Sequence, residues 1–128
     1  MPERYPSEDP REWINRAKSN LALAEKMGQN IYLEDLCFNT QQAVEKAIKS
    51  LLIKYGIDFP FTHDIAKLIT LLLKTELDIP EFVEQAVGLT QYATFARYPN
   101  SDTPVTDDDY KEALDIAEKV VNWVQNIS

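Results

Sequence analysis

Residues 93–110, ATFARYPNSDTPVTDDDY, hold a single arginine within an acidic part of the chain. Arg97 is the only basic residue between Lys74 and Lys111. The same interval contains eight carboxylates, namely Glu76, Asp78, Glu81, Glu84, Asp102, Asp107, Asp108 and Asp109. A guanidinium has planar paired donors that suit a phosphate or a carboxylate. Arg97 therefore either forms an ion pair with one of the nearby aspartates or binds an anionic ligand.

His63 is the only histidine in the chain. An imidazole near the start of a helix can act as a general base or bind phosphate, and it can equally pack and hold a loop. A histidine-based metal site is not expected without a second histidine. The run Asp107–Asp109 indicates no metal either, because the helix dipole favours carboxylates in a first turn.

The polar flank of the second predicted helix carries Gln41, Gln42, Lys46 and Lys49. This flank is either a solvated face or the lining of a groove, for which Gln42, Lys46 and Lys49 are the candidates. Cys37 lies on the apolar side of the same helix and is interpreted as a core thiol. The chain has no Gly-rich phosphate loop, G-x-S-x-G or C-x-x-C motif, so no enzyme class and no cofactor is predicted.

Composition limits the kinds of partner. The 128 residues predict one domain, and the net charge of −8 argues against an extended nucleic-acid surface. A contact with a nucleotide or RNA must therefore be small and local. No apolar run approaches the roughly 20 residues that span a bilayer, and the start MPERYPSEDPREW is charged and proline-rich. We therefore expect no signal peptide, no membrane segment and a cytoplasmic location.

Five helical patterns predict an all-α, up-and-down bundle, since no segment alternates as a strand does. Asp9, Pro10 and Glu12 match a capping box for helix one, and Gly28 matches its C-terminal cap. Helix two has an apolar stripe over about six turns, and Gly56 follows it.

The remaining boundaries follow from caps and prolines. Thr62 is the predicted N-cap of helix three, Pro80 opens helix four and Pro99 ends it. Thr106 is the predicted cap of helix five, with Asp107–Asp109 in the first turn. If successive helices alternate in direction, one end of the bundle collects Tyr55, His63, Asp64, Arg97, Tyr98 and Asp107–Asp109.

Two segments together resemble the HEPN domain (higher eukaryotes and prokaryotes nucleotide-binding). They are CFNTQQAVEKAIKSLLIKYGIDFPFTHDIAKLI and FARYPNSDTPVTDDDYKEALDIAEKVVNWV, and the similarity runs from about Trp13 to Trp123. Its most specific parts are QQAVEKAIKSLL, the pair His63-Asp64 and the turn Arg97-Tyr98-Pro99. The resemblance implies a five-helix bundle, commonly a homodimer, often encoded beside a minimal nucleotidyltransferase as a two-protein, toxin-antitoxin-like system.

Many HEPN proteins are metal-independent endoribonucleases, with an Arg and a His separated by four to six residues. Arg97 matches that arginine, but the downstream positions hold Asp102, Thr103 and Pro104, and no histidine follows. The histidine would transfer protons while the arginine stabilises phosphate charge. Only His63, reaching the same end of the bundle, could replace it.

Three functional hypotheses follow. The first is a nucleotide-binding HEPN homodimer that partners a minimal nucleotidyltransferase, with Arg97 on the phosphate. Its predicted ligand residues are Arg97, Tyr98, His63, Asp64, Tyr110 and Asp102. The second is a divergent endoribonuclease toxin that uses Arg97 and His63. The third is a purely structural dimerisation module.

Overall fold

The computed structural model describes residues 1–95 and 103–127, with Phe95 described by its backbone alone. Within these residues the chain is helical and contains no strand. The elements are α1 (Pro10–Ala24), α2 (Leu33–Lys54), α3 (Ile65–Leu72), α4 (Glu81–Gln85), a 3₁₀ segment (Ala86–Gln91), α5 (Tyr92–Phe95) and α6 (Asp107–Ile127). The predicted all-α bundle is confirmed. No helix in the described residues combines the length and the apolarity that a membrane crossing requires.

The start of α1 confirms one predicted cap and corrects another. Asp9 is the N-cap, and its side chain accepts a hydrogen bond of 2.9 Å from Arg11 N. The predicted capping box is wrong, because Glu12 does not return to Asp9. Glu12 Oε1 instead accepts from Tyr5 N at 2.9 Å, while Asp9 N donates to Pro6 O. Glu12 therefore fastens the N-terminal segment onto α1.

Two glycines were predicted to end helices, and one does so. Gly28 is no cap, since α1 ends at Ala24. Gly56 follows α2 with a φ of 68°, in the left-handed region that glycine adopts without penalty. Gly56 N donates to Ile53 O at 3.0 Å and Ile57 N to Leu52 O at 2.9 Å. These two bonds form a Schellman motif that satisfies the last carbonyls of α2.

The caps of α3 and α6 are formed by side chains. Asp64, and not the predicted Thr62, is the N-cap of α3, and it accepts from Ala66 N at 3.0 Å. Thr62 Oγ1 supports it by accepting from Asp64 N at 3.1 Å. The predicted cap of α6 is confirmed, because Thr106 and Asp109 exchange two backbone-to-side-chain bonds of 3.1 Å.

The fourth predicted helix is broken into α4, the 3₁₀ segment and α5. Pro80 is its N-cap and not its first residue. Gly88 lies inside the 3₁₀ segment, and glycine lowers helix stability. Thr90 Oγ1 in the same segment accepts a bond of 3.3 Å from Ile65 N, which ties it to the start of α3. The predicted end at Pro99 lies outside the described residues.

The core forms around α2, which packs against α1 and α6. Fully buried Ala17, Ala43 and Ala47 allow helices to approach closely. The largest fully buried side chains are Ile48, Leu51, Leu52, Ile65, Leu68, Leu72, Gln41, Val44, Val83, Val120, Val121 and Val124.

The directions of the helices correct one prediction. α1 and α2 are antiparallel, because Ser50 Oγ donates to Pro10 O at 2.8 Å and Asn20 Nδ2 donates to Asn39 Oδ1 at 3.0 Å. α2 and α6, by contrast, are parallel. At one end Val105 N donates to Glu34 Oε2 at 3.0 Å, and at the other Lys54 Nζ donates to Ile127 O at 3.0 Å. The predicted meeting of the end of helix two with the start of helix five is therefore wrong. α3 has only 8 residues against 22 in α2, and the fourth helix is broken, so neither segment crosses the full length of the bundle.

Candidate functional site

Three residues of the predicted ligand site, Arg97, Tyr98 and Asp102, lie outside the described residues. Their roles remain predictions. Tyr110 is 4% exposed, and its hydroxyl donates to Ala24 O at 2.7 Å, so it joins α6 to the end of α1.

Asp64 uses Oδ1 to cap α3. His63 differs from both Asp64 and Tyr110, because it combines a fixed orientation with an exposed ring. Its side chain is 39% exposed. His63 is therefore the predicted ligand residue around which the described structure builds a site.

His63 belongs to a polar cluster with Gln41, Glu45 and Lys49. Glu45 Oε1 accepts from His63 Nδ1 at 2.8 Å and from Gln41 Nε2 at 2.9 Å, while Glu45 Oε2 accepts from Lys49 Nζ at 2.9 Å. Gln41, Glu45 and Lys49 share one side of α2 because they are spaced by four residues. The connection between α2 and α3 brings His63 onto that side.

The charge state of Glu45 determines the state of the cluster. Burial raises the pKa of this carboxyl, but hydrogen bonds from Lys49, Gln41 and His63 outweigh that effect and leave the pKa below its ordinary value. An ionised carboxylate only accepts hydrogen bonds, so the proton shared with His63 is carried by Nδ1. No hydrogen bond among the described residues reaches His63 Nε2.

Aromatic rings enclose the lysine and flank the histidine. Lys49 Nζ lies 5.6 Å from the ring centroids of both Trp13 and Phe59, which meet edge to face at 6.2 Å. Such contacts favour a cation. Phe61 is 95% exposed, and its ring centroid lies 5.7 Å from that of His63. The cluster is therefore closed around Lys49 and open at His63.

Sequence reasoning missed Glu45, the centre of the cluster. The available signal was the spacing of Gln41, Glu45 and Lys49, which places an acid one turn before a base on one side of a helix. That spacing is common on solvated helices, so it did not indicate that the pair is buried.

A cleft lies beside the cluster. It has a volume of about 270 Å³, and we call it the Lys46 cleft; it is lined by Tyr5, Ser7, Glu12, Trp13, Arg16 and Lys46. Lys46 Nζ donates to Asn20 Oδ1 at 2.8 Å, and no carboxylate of the described residues forms a salt bridge with it. Burial lowers the pKa of Lys46. Arg16, by contrast, is paired with Glu12.

The three candidate groove residues thus occupy different environments. Gln42 is buried and donates to Gln41 Oε1 at 2.7 Å. Lys49 is 5% exposed and belongs to the polar cluster. Lys46 alone of the three lines the cleft.

The remaining candidates, Cys37 and Asp107–Asp109, lie in places that the fold alone explains. Cys37 is fully buried, and burial raises its pKa to about 12, which fits the predicted core thiol. Asp107–Asp109 form the first turn of α6. Within residues 1–95 and 103–127, no group of three or more His, Cys, Asp and Glu side chains is arranged to hold a metal ion.

A model of the HEPN domain matches residues 10–127. The chain belongs to the HEPN family. Among solved structures, this HEPN chain is similar to TT1696 from Thermus thermophilus, with a TM-score of 0.75 and 32% identity over 91% of this chain and 96% of the other. It is also similar to ST0689, an archaeal HEPN homologue, with a TM-score of 0.72 and 30% identity over 92% and 96% of the two chains.

A HEPN domain protein from Thermotoga maritima shares the fold, with a TM-score of 0.54 and 18% identity over 92% of each chain. A search of the curated proteins finds no match. The HEPN resemblance predicted from the sequence is confirmed, and the family assignment spans α1 to α6.

Proposed function

We propose that this HEPN chain is a nucleotide-binding module that works as a homodimer beside a minimal nucleotidyltransferase. The observation that carries the binding function is Lys46, a half-buried ammonium without a carboxylate partner among the described residues, on the wall of a cleft.

The charges around the cleft favour an anion. The Glu12 carboxylate is neutralised by Arg16, and the Glu45 carboxylate by Lys49, which leaves Lys46 as a local positive surplus in a chain of net charge −8. An ammonium has three donors, and Asn20 takes one of them. A phosphate oxygen would restore the solvation that Lys46 loses by burial.

The shape and lining of the cleft favour a small ligand with a planar ring. A volume of about 270 Å³ suits a mononucleotide better than a strand. Trp13 and Tyr5 line the cleft, and aromatic side chains stack on bases. Trp13 is held in place because its Nε1 donates to Ser7 O at 2.7 Å.

Calorimetric titration with AMP tests this function. The Lys46→Gln variant should bind about tenfold more weakly than the wild type, as expected when a charge-assisted hydrogen bond is lost. Lys18→Gln is the matched control, since it removes the same charge from an exposed position on α1. Absence of binding by the wild type would reject the function, and equal affinity of Lys46→Gln would reject the cleft as its site.

Arg97 supplies a second, independent test. The sequence predicts that it clamps phosphate, so Arg97→Ala should also weaken AMP binding. Unchanged affinity would reject the clamp while leaving the Lys46 cleft to be judged by its own variant. Tyr98 and Asp102 are predicted ligand residues near Arg97 in the sequence, and the same titration tests them in the variants Tyr98→Ala and Asp102→Asn.

Exposed apolar side chains support the homodimer. Leu23, Met27, Ile31 and Tyr32 all come from the end of α1 and the connection to α2, and they are 47%, 53%, 43% and 76% exposed. Apolar side chains grouped at a surface often mark an interface. Sedimentation should give a dimer at micromolar concentration that Met27→Glu weakens, and a monomeric wild type would reject this part of the proposal.

The nucleotidyltransferase partner rests on what HEPN membership implies. The adjacent reading frame should encode a small nucleotidyltransferase, and the two proteins should elute together when co-expressed. A genome without such a neighbour, or separate elution, would count against the partnership.

A second candidate function, a metal-independent endoribonuclease using Arg97 and His63, is favoured by one observation. Glu45 holds His63 by a 2.8 Å bond, as the acid of a catalytic pair orients its histidine. The protein should then cleave RNA in the presence of EDTA, and its expression should arrest growth unless His63 is changed to Ala. Intact RNA and harmless expression would exclude this candidate.

A further inference from the structure

We propose that the bond between Glu45 and His63 holds the imidazole in the tautomer that accepts a hydrogen bond from a ligand. Glu45 keeps the proton of the neutral imidazole on Nδ1, and the bare Nε2 accepts the 2′-hydroxyl of a ribonucleotide. The identity of the ligand rests on the proposed nucleotide-binding function, whereas the state of the pair does not.

The hydrogen bonds around Glu45 have only one consistent direction. Lys49 Nζ has only protons to give, and it donates to Glu45 Oε2. Gln41 turns its amide nitrogen to Glu45 Oε1, because the same nitrogen also donates to the backbone carbonyl of His63 at 3.3 Å, and a carbonyl oxygen only accepts. Glu45 is therefore an acceptor throughout, and His63 Nδ1 must donate.

The consequence appears at the opposite nitrogen of the ring. A neutral imidazole protonated on Nδ1 has a lone pair and no hydrogen on Nε2. The side chain of His63 is 39% exposed, and no described residue bonds to Nε2. This nitrogen is therefore available to a hydroxyl donor from a ligand.

The surroundings of His63 fit a ribonucleotide. Phe61 is 95% exposed, and its ring centroid lies 5.7 Å from that of the imidazole, so it offers an apolar face to the sugar that carries this hydroxyl. The 2′-hydroxyl can donate a hydrogen bond, and it distinguishes RNA from DNA. If its proton moves fully, the O–H electron pair stays on oxygen, the N–H bond forms at Nε2, and Glu45 faces the new imidazolium charge.

The tautomer can be read directly, since His63 is the only histidine. A multiple-bond proton–nitrogen correlation spectrum of ¹⁵N-labelled wild type is recorded at pH about 8.5, where a free imidazole is neutral. We expect a protonated Nδ1 and a bare Nε2. The opposite assignment, which predominates in free histidine, would overturn the proposal.

A variant tests whether Glu45 sets this state. In Glu45→Gln the spectrum should shift toward the Nε2–H form, and in the control Asp58→Asn, which removes an exposed carboxylate from the α2–α3 connection, it should not. An unchanged tautomer in Glu45→Gln would remove Glu45 from the pair. If Glu45→Gln does not fold, the proton spectrum of the wild type gives the test instead. We expect the His63 Nδ1 proton to give a downfield, slowly exchanging resonance, and the absence of that resonance would overturn the proposal.

Paired ligands test the accepting nitrogen. Titration with AMP should shift the Nε2 resonance, and titration with 2′-deoxy-AMP should shift it less than half as far. Equal shifts, or none from AMP that calorimetry shows to be bound, would overturn the hydroxyl assignment. Absence of AMP binding by calorimetry would reject the nucleotide function and the hydroxyl assignment together, while the tautomer would still decide the state of the pair.

Discussion

Glu45 and Lys49 form an ion pair of 2.9 Å whose side chains are only 3% and 7% exposed. Two charges so far from water are costly unless each is well paired. Gln41 and His63 both bond to the other oxygen of the carboxylate, Oε1, and Trp13 and Phe59 lie beside the ammonium. A change in the Glu45–Lys49 pair should therefore affect both the stability of the fold and the tautomer of His63.

Removing one member of this pair should destabilise the fold strongly. We expect Glu45→Gln to lower the free energy of unfolding by about 3 kcal/mol, because it leaves Lys49 buried without a counter-charge. The double variant Glu45→Gln with Lys49→Met should recover at least half of that loss. Urea unfolding measures both, and a loss below about 1 kcal/mol in the single variant would contradict the described burial.

The same carboxylate should shape acid unfolding. Its pKa is lower in the folded state than its ordinary value of 4.5, so its stabilisation is complete above that value and is lost as the pH falls through the folded pKa. The wild type should therefore lose stability more steeply than Glu45→Gln at acid pH. Urea midpoints at a series of pH values measure this, and parallel curves for the two proteins would disprove it.

Glu118 should behave in the opposite way. Burial raises its pKa, and Glu25 raises it further by charge repulsion and by a hydrogen bond. A carboxyl with a raised pKa loses stability as the pH rises through it. Glu118→Gln should therefore stabilise the protein at neutral pH by up to about 0.5 kcal/mol, since both groups are exposed. Thermal unfolding measures the gain, which should become smaller when Glu25 is already changed to Gln, because the burial of Glu118 then remains as the main cause.

Two glycines offer a matched test of backbone conformation. Gly56→Ala should cost about 1 kcal/mol, because its φ of 68° is unfavourable for an L-residue even though no atom beyond the adjacent residues lies within 4 Å of the added methyl. Gly88→Ala also meets open space, and its φ lies outside the left-handed region. It should be neutral or slightly stabilising. Equal costs in chemical unfolding would mean that φ is not the cause.

The Tyr110 hydroxyl should contribute to stability and not to ligand affinity. Tyr110→Phe leaves the buried carbonyl of Ala24 without its donor and should cost about 1–2 kcal/mol. Tyr32→Phe, on a side chain that is 76% exposed, is the control and should cost less than about 0.5 kcal/mol. AMP titration of Tyr110→Phe gives the second readout, and a loss of affinity without a loss of stability would restore Tyr110 to the ligand site.

Features governed by local chemistry could be predicted from the sequence. The apolar stripe of α2, the cap at Asp9, the left-handed Gly56 and the cap at Thr106 each depend on residues within about one turn. The sequence predicts Thr62 and not Asp64 as the N-cap of α3, because both are good cap residues and they lie two positions apart. The bond from Asp64 N to Thr62 Oγ1, which shows that Thr62 supports the cap, is visible only in three dimensions.

Features governed by long-range packing could not be predicted. The parallel arrangement of α2 and α6 depends on contacts such as Lys54 to Ile127, 73 residues apart. The surroundings of the Glu45–Lys49 pair depend on His63, which is 18 residues from Glu45, and on Trp13 in α1, whose ring lies beside the Lys49 ammonium. A helical pattern shows which face a residue occupies, but it does not show which neighbour covers that face.

Trp13 lines the Lys46 cleft and also lies beside the Lys49 ammonium and the edge of Phe59. Indole emission responds to nearby charge and to water, and the chain contains just one other tryptophan, Trp123. The fold thus carries its own optical reporter. A Trp123→Phe protein would isolate the fluorescence of Trp13, so that occupancy of the cleft could be followed by a change in brightness or colour without any attached dye.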